Sequence, residues 1–436
     1  MYNLSKSFPV QQEERRRKNM IRYEDGRDWF LDKRFGMFIH WGIYSSRGKT
    51  EWERKSHNVP REEYDKSIQD FTAEHFDPAQ WLDVAQAAGM EYIVFTTKHH
   101  DGFCMWDTKF TSYNVMRTPF GKDPLRMLAD ECHKRNFPLV LYYSCMDWGH
   151  ENYPNDGTCN GVQTDPSKHD MKKYMDFVKN QIRELCTEYG EIHGLWWDNN
   201  CRRYTDPEVN ALARSLQPKI VINDRGFSSD GDYRTPERTG KNDDYPFNLP
   251  TEACDSVTCS GWCYQFDGDY YSSRYLCESI AKYIGHGGNY LLNIAPAADG
   301  RLQEQGVELL KKISPWFQSV KEALYAPHQQ WIVYNKNVFC TGQGHDLYFF
   351  LLTPPSKSII QLIPVNTAPE KVVLLNTGDE LEGYCAPRGN KEDALTIRRY
   401  PADKLYGEIP VLKVTFKESI AEVIAKASHH YYAWEI

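Results

Sequence analysis

The chain has 436 residues, 41% of them apolar and 14% aromatic, and a formal net charge of −8. That length suits two domains, a barrel of roughly 250–330 residues followed by a module of about 100. The acidic balance excludes a nucleic-acid partner, which needs a basic footprint, and no run approaches the length of apolar sequence that a membrane-spanning helix requires.

At the N-terminus, Met1–Val10 carries no apolar core of a secretory signal, and the basic run Arg15-Arg16-Arg17-Lys18 beside Glu13 and Glu14 reads as a solvated helix face. The expectation is a cytoplasmic protein with no membrane partner. The twelve cysteines fit reduced thiols in such a compartment. Cys259 and Cys263 stand as C-x₃-C without a second pair, so they are not read as a zinc site.

From Phe35 to about Tyr325, short apolar runs alternate with helical periods. The predicted strands are Gly36–Trp41, Tyr92–Thr97, Pro138–Tyr143, Gly194–Asp198, Ile220–Asn223 and Asn289–Ile294. Each is apolar on both faces, as in a parallel strand covered by helices on one side and core on the other. Asp77-Pro78 opens a helix over Ala79–Ala88 that stops at Gly89, and Asp123-Pro124 opens Leu125–Lys134. Asp165-Pro166 leads a longer helix ending at Gly190. An open doubly wound sheet would show a Gly-rich turn after its first strand. None is present, and Gly285-His286-Gly287-Gly288 precedes a strand instead of opening a helix. The expected fold is α/β, a TIM-like (β/α)-barrel over residues 1–326. Beyond Tyr325 the runs Trp331–Val333, Val338–Thr341, Asp346–Leu352, Ile359–Ile363, Lys371–Leu375 and Val411–Thr415 predict a C-terminal β-sandwich domain over residues 327–436.

Barrel chemistry sits where strands end. The first five predicted strands end in His40-Trp41-Gly42, Lys98-His99-His100-Asp101, Tyr142-Tyr143 followed by Asp147, Trp196-Trp197-Asp198 and Asn223-Asp224-Arg225. A barrel needs no such rim for stability. His99 and His100 invite a metal reading, but neighbouring strand residues point to opposite sides, so only one of them is expected in a ligand set and no metal is assigned. Hydroxyl-binding groups, aromatic walls and carboxylates together favour a sugar, whose glycosidic cleavage uses two carboxyl groups across the anomeric carbon.

The same residues carry a family resemblance. Phe35–Gly42 with Glu51-Trp52, Thr97–Phe103, Tyr142-Tyr143-Ser144, Leu195–Asp198, Asn223-Asp224-Arg225, Thr235-Pro236-Glu237 and Gly287–Asn293 follow one another in the order found in the α-L-fucosidases of glycoside hydrolase family 29, which the chain resembles over residues 28–325. The resemblance implies a retaining exo-glycosidase without cofactor, acting on fucosylated oligosaccharides or glycoconjugates, with Asp198 as nucleophile. It implies a fucose site of His40, Glu51, Trp52, His99, His100, Tyr142, Trp196 and Arg225. The acid/base is not fixed by one motif. Glu237 is preferred over Glu252, and both are read as lying in a loop after the fifth strand. Asn199-Asn200 departs from the Gly that many members carry after the nucleophile, and the insert Glu151–Gln163 is also atypical. Left open are a related α-L-glycosidase such as one acting on α-L-galactosides, a carbohydrate-binding protein without turnover, and assembly as a homo-oligomer.

Overall fold

The computed structural model describes residues 22–154, 169–199, 204–227, 230–238, 247–329, 337–362, 365–388, 391–405 and 407–427. The basic run at Arg15–Lys18, the Asp165-Pro166 helix start, Asn200, the predicted strand Trp331–Val333 and most of the Glu151–Gln163 insert lie outside these residues.

Seven parallel strands form the first sheet: β1 (Phe35–Ile39), β2 (Tyr92–Lys98), β3 (Leu139–Ser144), β4 (Gly194–Asp198), β5 (Val221–Ile222), β6 (Glu252–Ser256) and β7 (Asn289–Asn293). Their order is β5-β4-β3-β2-β1-β7-β6. Between the two edges runs extended chain from Tyr233 to Glu237. It makes isolated parallel bridges from Tyr233 to Asn223 after β5, and from Arg234 and Glu237 to Thr251 and Cys254 around β6. This stretch occupies the place of an eighth strand and closes the curl into a barrel.

Side chains alternate between two cores, as the period of two demands. Phe38, Tyr92, Val94, Val140, Tyr142, Trp196, Cys254 and Leu291 pack together inside the barrel. Their strand neighbours Met37, Ile93, Leu141, Leu195, Ala253 and Leu292 face the helices. The principal helices are α1 (Pro78–Ala87), α2 (Pro124–Lys134), α3 (Met171–Glu188), α4 (Glu208–Leu216), α5 (Ser273–Gly285) and α6 (Glu304–Tyr325). Two of the Asp-Pro starts work as the sequence suggests: Asp77 accepts from the backbone of Ala79 and Gln80, Asp123 from Arg126, and Pro fills the first helical turn. The longer helix begins instead at Met171, capped by Asp170, which accepts from the backbone of Lys173. Each such cap is worth about 1 kcal/mol. Gly89 ends α1 in the left-handed region at φ +86, where a Cβ would also strike the Phe317 ring.

The predicted strand list lacks β6. Its sequence, Glu-Ala-Cys-Asp-Ser, holds no apolar run, yet all five residues are buried because the barrel supplies polar partners.

The second sheet has seven antiparallel strands: β8 (Val338–Gln343), β9 (Asp346–Leu351), β10 (Ile359–Leu362), β11 (Lys371–Leu374), β12 (Asp379–Arg388), β13 (Lys391–Arg398) and β14 (Val411–Thr415). They enclose one core that runs from Phe349 and Leu412 to Ile360 and Ile397. The module seats on α6: Phe339, Phe350 and Val411 join the core of the barrel's outer layer. Trp316 donates to the carbonyl of Ile409 at 2.8 Å, and Thr341 to that of Ala323 at 2.6 Å. This contact lies on the helix layer, away from the strand ends that carry the site.

Candidate functional site

A 440 Å³ cavity opens at the C-terminal ends of the barrel strands. Of the residues expected there, His40, Trp52, His99, His100, Tyr142, Trp196, Asp198, Arg225 and Glu237 line it. Strand parity explains much of this. Tyr142 on β3, and Trp196 and Asp198 on β4, all face inward, and Asp198 stands one rung above Trp196 at the open end.

Asp198 is the centre of the polar network. Tyr142 donates its hydroxyl to Oδ2 at 2.7 Å, while Arg225 Nη1 at 3.0 Å and the backbone N–H of Asn199 at 2.8 Å donate to Oδ1. Burial alone would raise this carboxyl. His100, Arg225 and the Tyr142 hydroxyl outweigh it, so the group sits below its ordinary value. At neutral pH the effective charge is that of Arg225, because burial lowers His100 to about 4 and leaves it neutral. Arg225 Nη1 also donates to Glu237 Oε1, Nη2 donates to the Thr235 carbonyl, and the guanidinium lies 4.8 Å over the Trp196 ring. Two carboxylates thus share one nitrogen. Glu237 is 41% exposed at its side chain, against 15% for Asp198, so one faces solvent and the other the floor of the cavity.

The histidines are held neutral and oriented. His40 Nδ1 pairs with Asn293 Oδ1 at 2.8 Å, and burial lowers its ring to about 4. Asn293 donates its own amide to the Trp262 carbonyl and to Ser256, so its oxygen is free to accept and His40 Nδ1 carries the proton. His99 is pushed well below its usual value, by burial first, and its Nδ1 has no hydrogen-bond partner among the described residues. His40 presents Nε2 to the cavity for a hydroxyl, whereas both ring nitrogens of His100 already have partners, Ser144 and Asn199.

The structure corrects the expectation that only one of His99 and His100 faces inward. Both lie past the end of β2, where alternation no longer applies. Both rings line the cavity with centroids 4.0 Å apart. Ligand atoms of His99, His100 and Asp198 come within 4.8 Å of one another, close enough for a cation. The Arg225 guanidinium already neutralises Asp198, and Tyr142 occupies its other oxygen, so the chemistry of this set favours hydroxyls over a metal ion.

Two expected residues stand elsewhere. Glu51 is 2% exposed, and its Oε2 accepts from the backbone N–H groups of Trp262 at 2.9 Å and Cys263 at 3.2 Å. It anchors the loop whose Trp262 ring forms a cavity wall stacked on His40. Glu252 begins β6, is 1% exposed and accepts from the Tyr92 hydroxyl at 2.6 Å and Trp196 Nε1 at 2.8 Å. It is therefore a barrel-interior carboxyl beneath the cavity floor and not a loop residue. Burial raises it to about 7 against the pull of its two donors.

Phe38, Asn199, Asp224, Cys254 and Trp262 line the cavity without having been singled out as site residues. Phe38 is reachable by inward parity on the first predicted strand. Cys254 lies on β6 and Trp262 follows it, so missing that strand hides both.

Comparison with known proteins gives a consistent picture. The Alpha-L-fucosidase family model matches residues 4–322. The tissue alpha-L-fucosidase of Homo sapiens is 29% identical over 398 residues, covering 82% of this chain and 83% of the relative. That of Rattus norvegicus is 30% identical over 391 residues, covering 81% and 82%. Among solved structures, alpha-L-fucosidase isoenzyme 1 from Paenibacillus thiaminolyticus aligns with a TM-score of 0.80 and 28% identity, over 91% of this chain and 99% of that one.

Proposed function

The chain belongs to the α-L-fucosidase family and is a glycoside hydrolase, and on that premise we propose that it releases terminal α-L-fucosyl groups from oligosaccharides or glycoconjugates by a retaining double displacement. Asp198 is the nucleophile and Glu237 the acid/base. The observation that carries this reading is the nitrogen shared by the two carboxylates. Two hydrogen bonds to one atom hold their nearest oxygens within roughly 6 Å. Retaining glycosidases place their carboxyl groups about 5–5.5 Å apart and inverting ones about 6.5–9.5 Å, because only the latter must admit water between them.

In the first step Asp198 attacks the anomeric carbon, the glycosidic C–O bond breaks, and Glu237 passes its proton to the departing oxygen. In the second, Glu237 takes a proton from water as that water attacks the same carbon and frees Asp198. The Nε2 lone pair of neutral His40 receives a sugar hydroxyl, while the His100 ring, already bonded at both nitrogens, walls the cavity beside Asp198. Phe38, Trp52, Trp196 and Trp262 supply apolar walls for the ring and its methyl group. The ten free cysteines among the described residues support a reducing, cytoplasmic setting.

Proton NMR of the hydrolysis of an aryl α-L-fucoside tests this directly. The α-anomer of fucose should appear first and the β-anomer only through mutarotation. The β-anomer appearing first would overturn the retaining reading.

A further inference from the structure

Asn199 directly follows Asp198 and departs from the ordinary backbone, with φ at +57. Asn tolerates this left-handed region better than most residues. The turn brings its side chain back into the cavity, which it lines. Its backbone N–H donates to Asp198 Oδ1 at 2.8 Å, and its Nδ2 lies 3.2 Å from His100 Nε2.

The other end of His100 explains which atom donates. His100 Nδ1 is 2.7 Å from Ser144 Oγ, and that hydroxyl gives its only proton to the carbonyl of Met146, also at 2.7 Å. Ser144 therefore accepts from His100, so Nδ1 carries the hydrogen and Nε2 presents a lone pair. That lone pair lies 3.6 Å from Asp198 Oδ2. A lone pair facing a carboxylate is repelled unless a donor satisfies it or a proton joins the nitrogen. The Asn199 carboxamide is that donor.

We infer that Asn199 is a positioning residue: its carboxamide keeps His100 turned as an acceptor toward the cavity and out of an ion pair with Asp198. The inference rests on the reading of Asp198 as nucleophile. Were Nε2 to take up a proton, it would donate to Oδ2 and occupy an oxygen that the first step needs. The charged and titratable groups around His100 come from several elements. Asp198 on β4 and Glu51 after β1 draw a proton to the ring, while His40, His99 and Lys55 oppose it. Burial adds to the opposition, and the carboxamide tips the balance by meeting the lone pair's need without charge.

The test compares wild type with Asn199→Gly, which accepts the left-handed backbone and deletes the donor, and with Asn199→Asp, which keeps the shape but replaces the donor by a charged acceptor. Two quantities are read: the ¹⁵N-edited NMR titration of the His100 ring, and the acidic limb of kcat/KM for an aryl α-L-fucoside. Both should move upward together, by about one pH unit in Asn199→Gly and further in Asn199→Asp. Folded variants whose His100 titration or acidic limb stays in place would overturn the inference. Asp198→Gly, assayed in parallel with azide, separates the two levels. If it is inactive and azide rescues it, the nucleophile reading stands, and an unmoved limb counts against Asn199 alone. If it is active without azide, both fall.

Discussion

Asp198 and Glu237 hydrogen-bond to the same atom, Nη1 of Arg225, although one carboxylate faces the cavity floor and the other solvent. The guanidinium is thus a ruler that sets their spacing as well as a charge that keeps Asp198 ionised. Lysine could supply the charge but not the planar fork that also reaches the Thr235 carbonyl. Arg225→Lys should lower kcat/KM by about 10²–10³-fold, the scale for losing a preorganised donor. Arg225→Ala should also shift the acidic limb. Asp198 lies below its ordinary value partly through this cation, so removing it raises the carboxyl and activity is lost at a higher pH as acid is added. Rate–pH profiles of the two variants check both statements.

On the proposed assignment Glu237 protonates the leaving group, so its removal should show in leaving-group dependence. Nitrophenolate departs almost unaided, whereas a sugar alkoxide needs a proton. Glu237→Ala should lose about 10²–10⁴-fold on natural fucosides and much less on the glycosylation step of aryl fucosides. Azide should restore turnover and give the α-azide of retained configuration. Equal losses on both substrates would remove Glu237 from the acid/base role.

Glu252 should behave as a carboxyl beneath the cavity floor. Its folded value, about 7, lies above the unfolded 4.5. Its favourable contribution to stability is therefore complete only below the unfolded value and is lost as pH rises through about 7. Glu252→Gln removes this dependence. The stability difference between wild type and variant should turn against the wild type by on the order of 3 kcal/mol from acidic to alkaline pH. Urea unfolding of both proteins at each pH measures it. The variant should show neither azide rescue nor dependence on the leaving group. Its activity should fall only as far as the loosened Trp196 indole allows.

How far this was legible in the sequence follows from what each residue bonds. β1 to β4 and β7 announce themselves because aliphatic and aromatic residues stand on both faces, and the Asp77-Pro78 and Asp123-Pro124 pairs mark helices whose caps are local. Asp198, Tyr142, Trp196 and His40 follow from strand ends, because a barrel gathers those ends at one rim. Glu252–Ser256 is different. Its buried polar groups are tolerated only through Tyr92, Trp196 and other partners distant in sequence, so no local pattern reveals a strand. The same holds for Glu51, whose neighbours in the fold are Trp262 and Cys263. His99 and His100 belong to the turn beyond β2, where the alternation that their sequence position suggests no longer applies. In the β12–β13 hairpin the apolar core residues Leu381, Leu395 and Ile397 are scattered among polar ones, so the signal for its strands is weak.

The central claim is that Asp198 forms the covalent bond to the sugar. A 2-fluorinated fucosyl fluoride slows both steps but forms the intermediate fast enough for it to accumulate, so peptide mass mapping of the treated enzyme locates the bond. A fluorofucosyl adduct on the peptide holding Leu195-Trp196-Trp197-Asp198, absent from Asp198→Asn, is the predicted result. An adduct on Glu237 or Glu252, or inactivation with no covalent sugar anywhere on the chain, would contradict it.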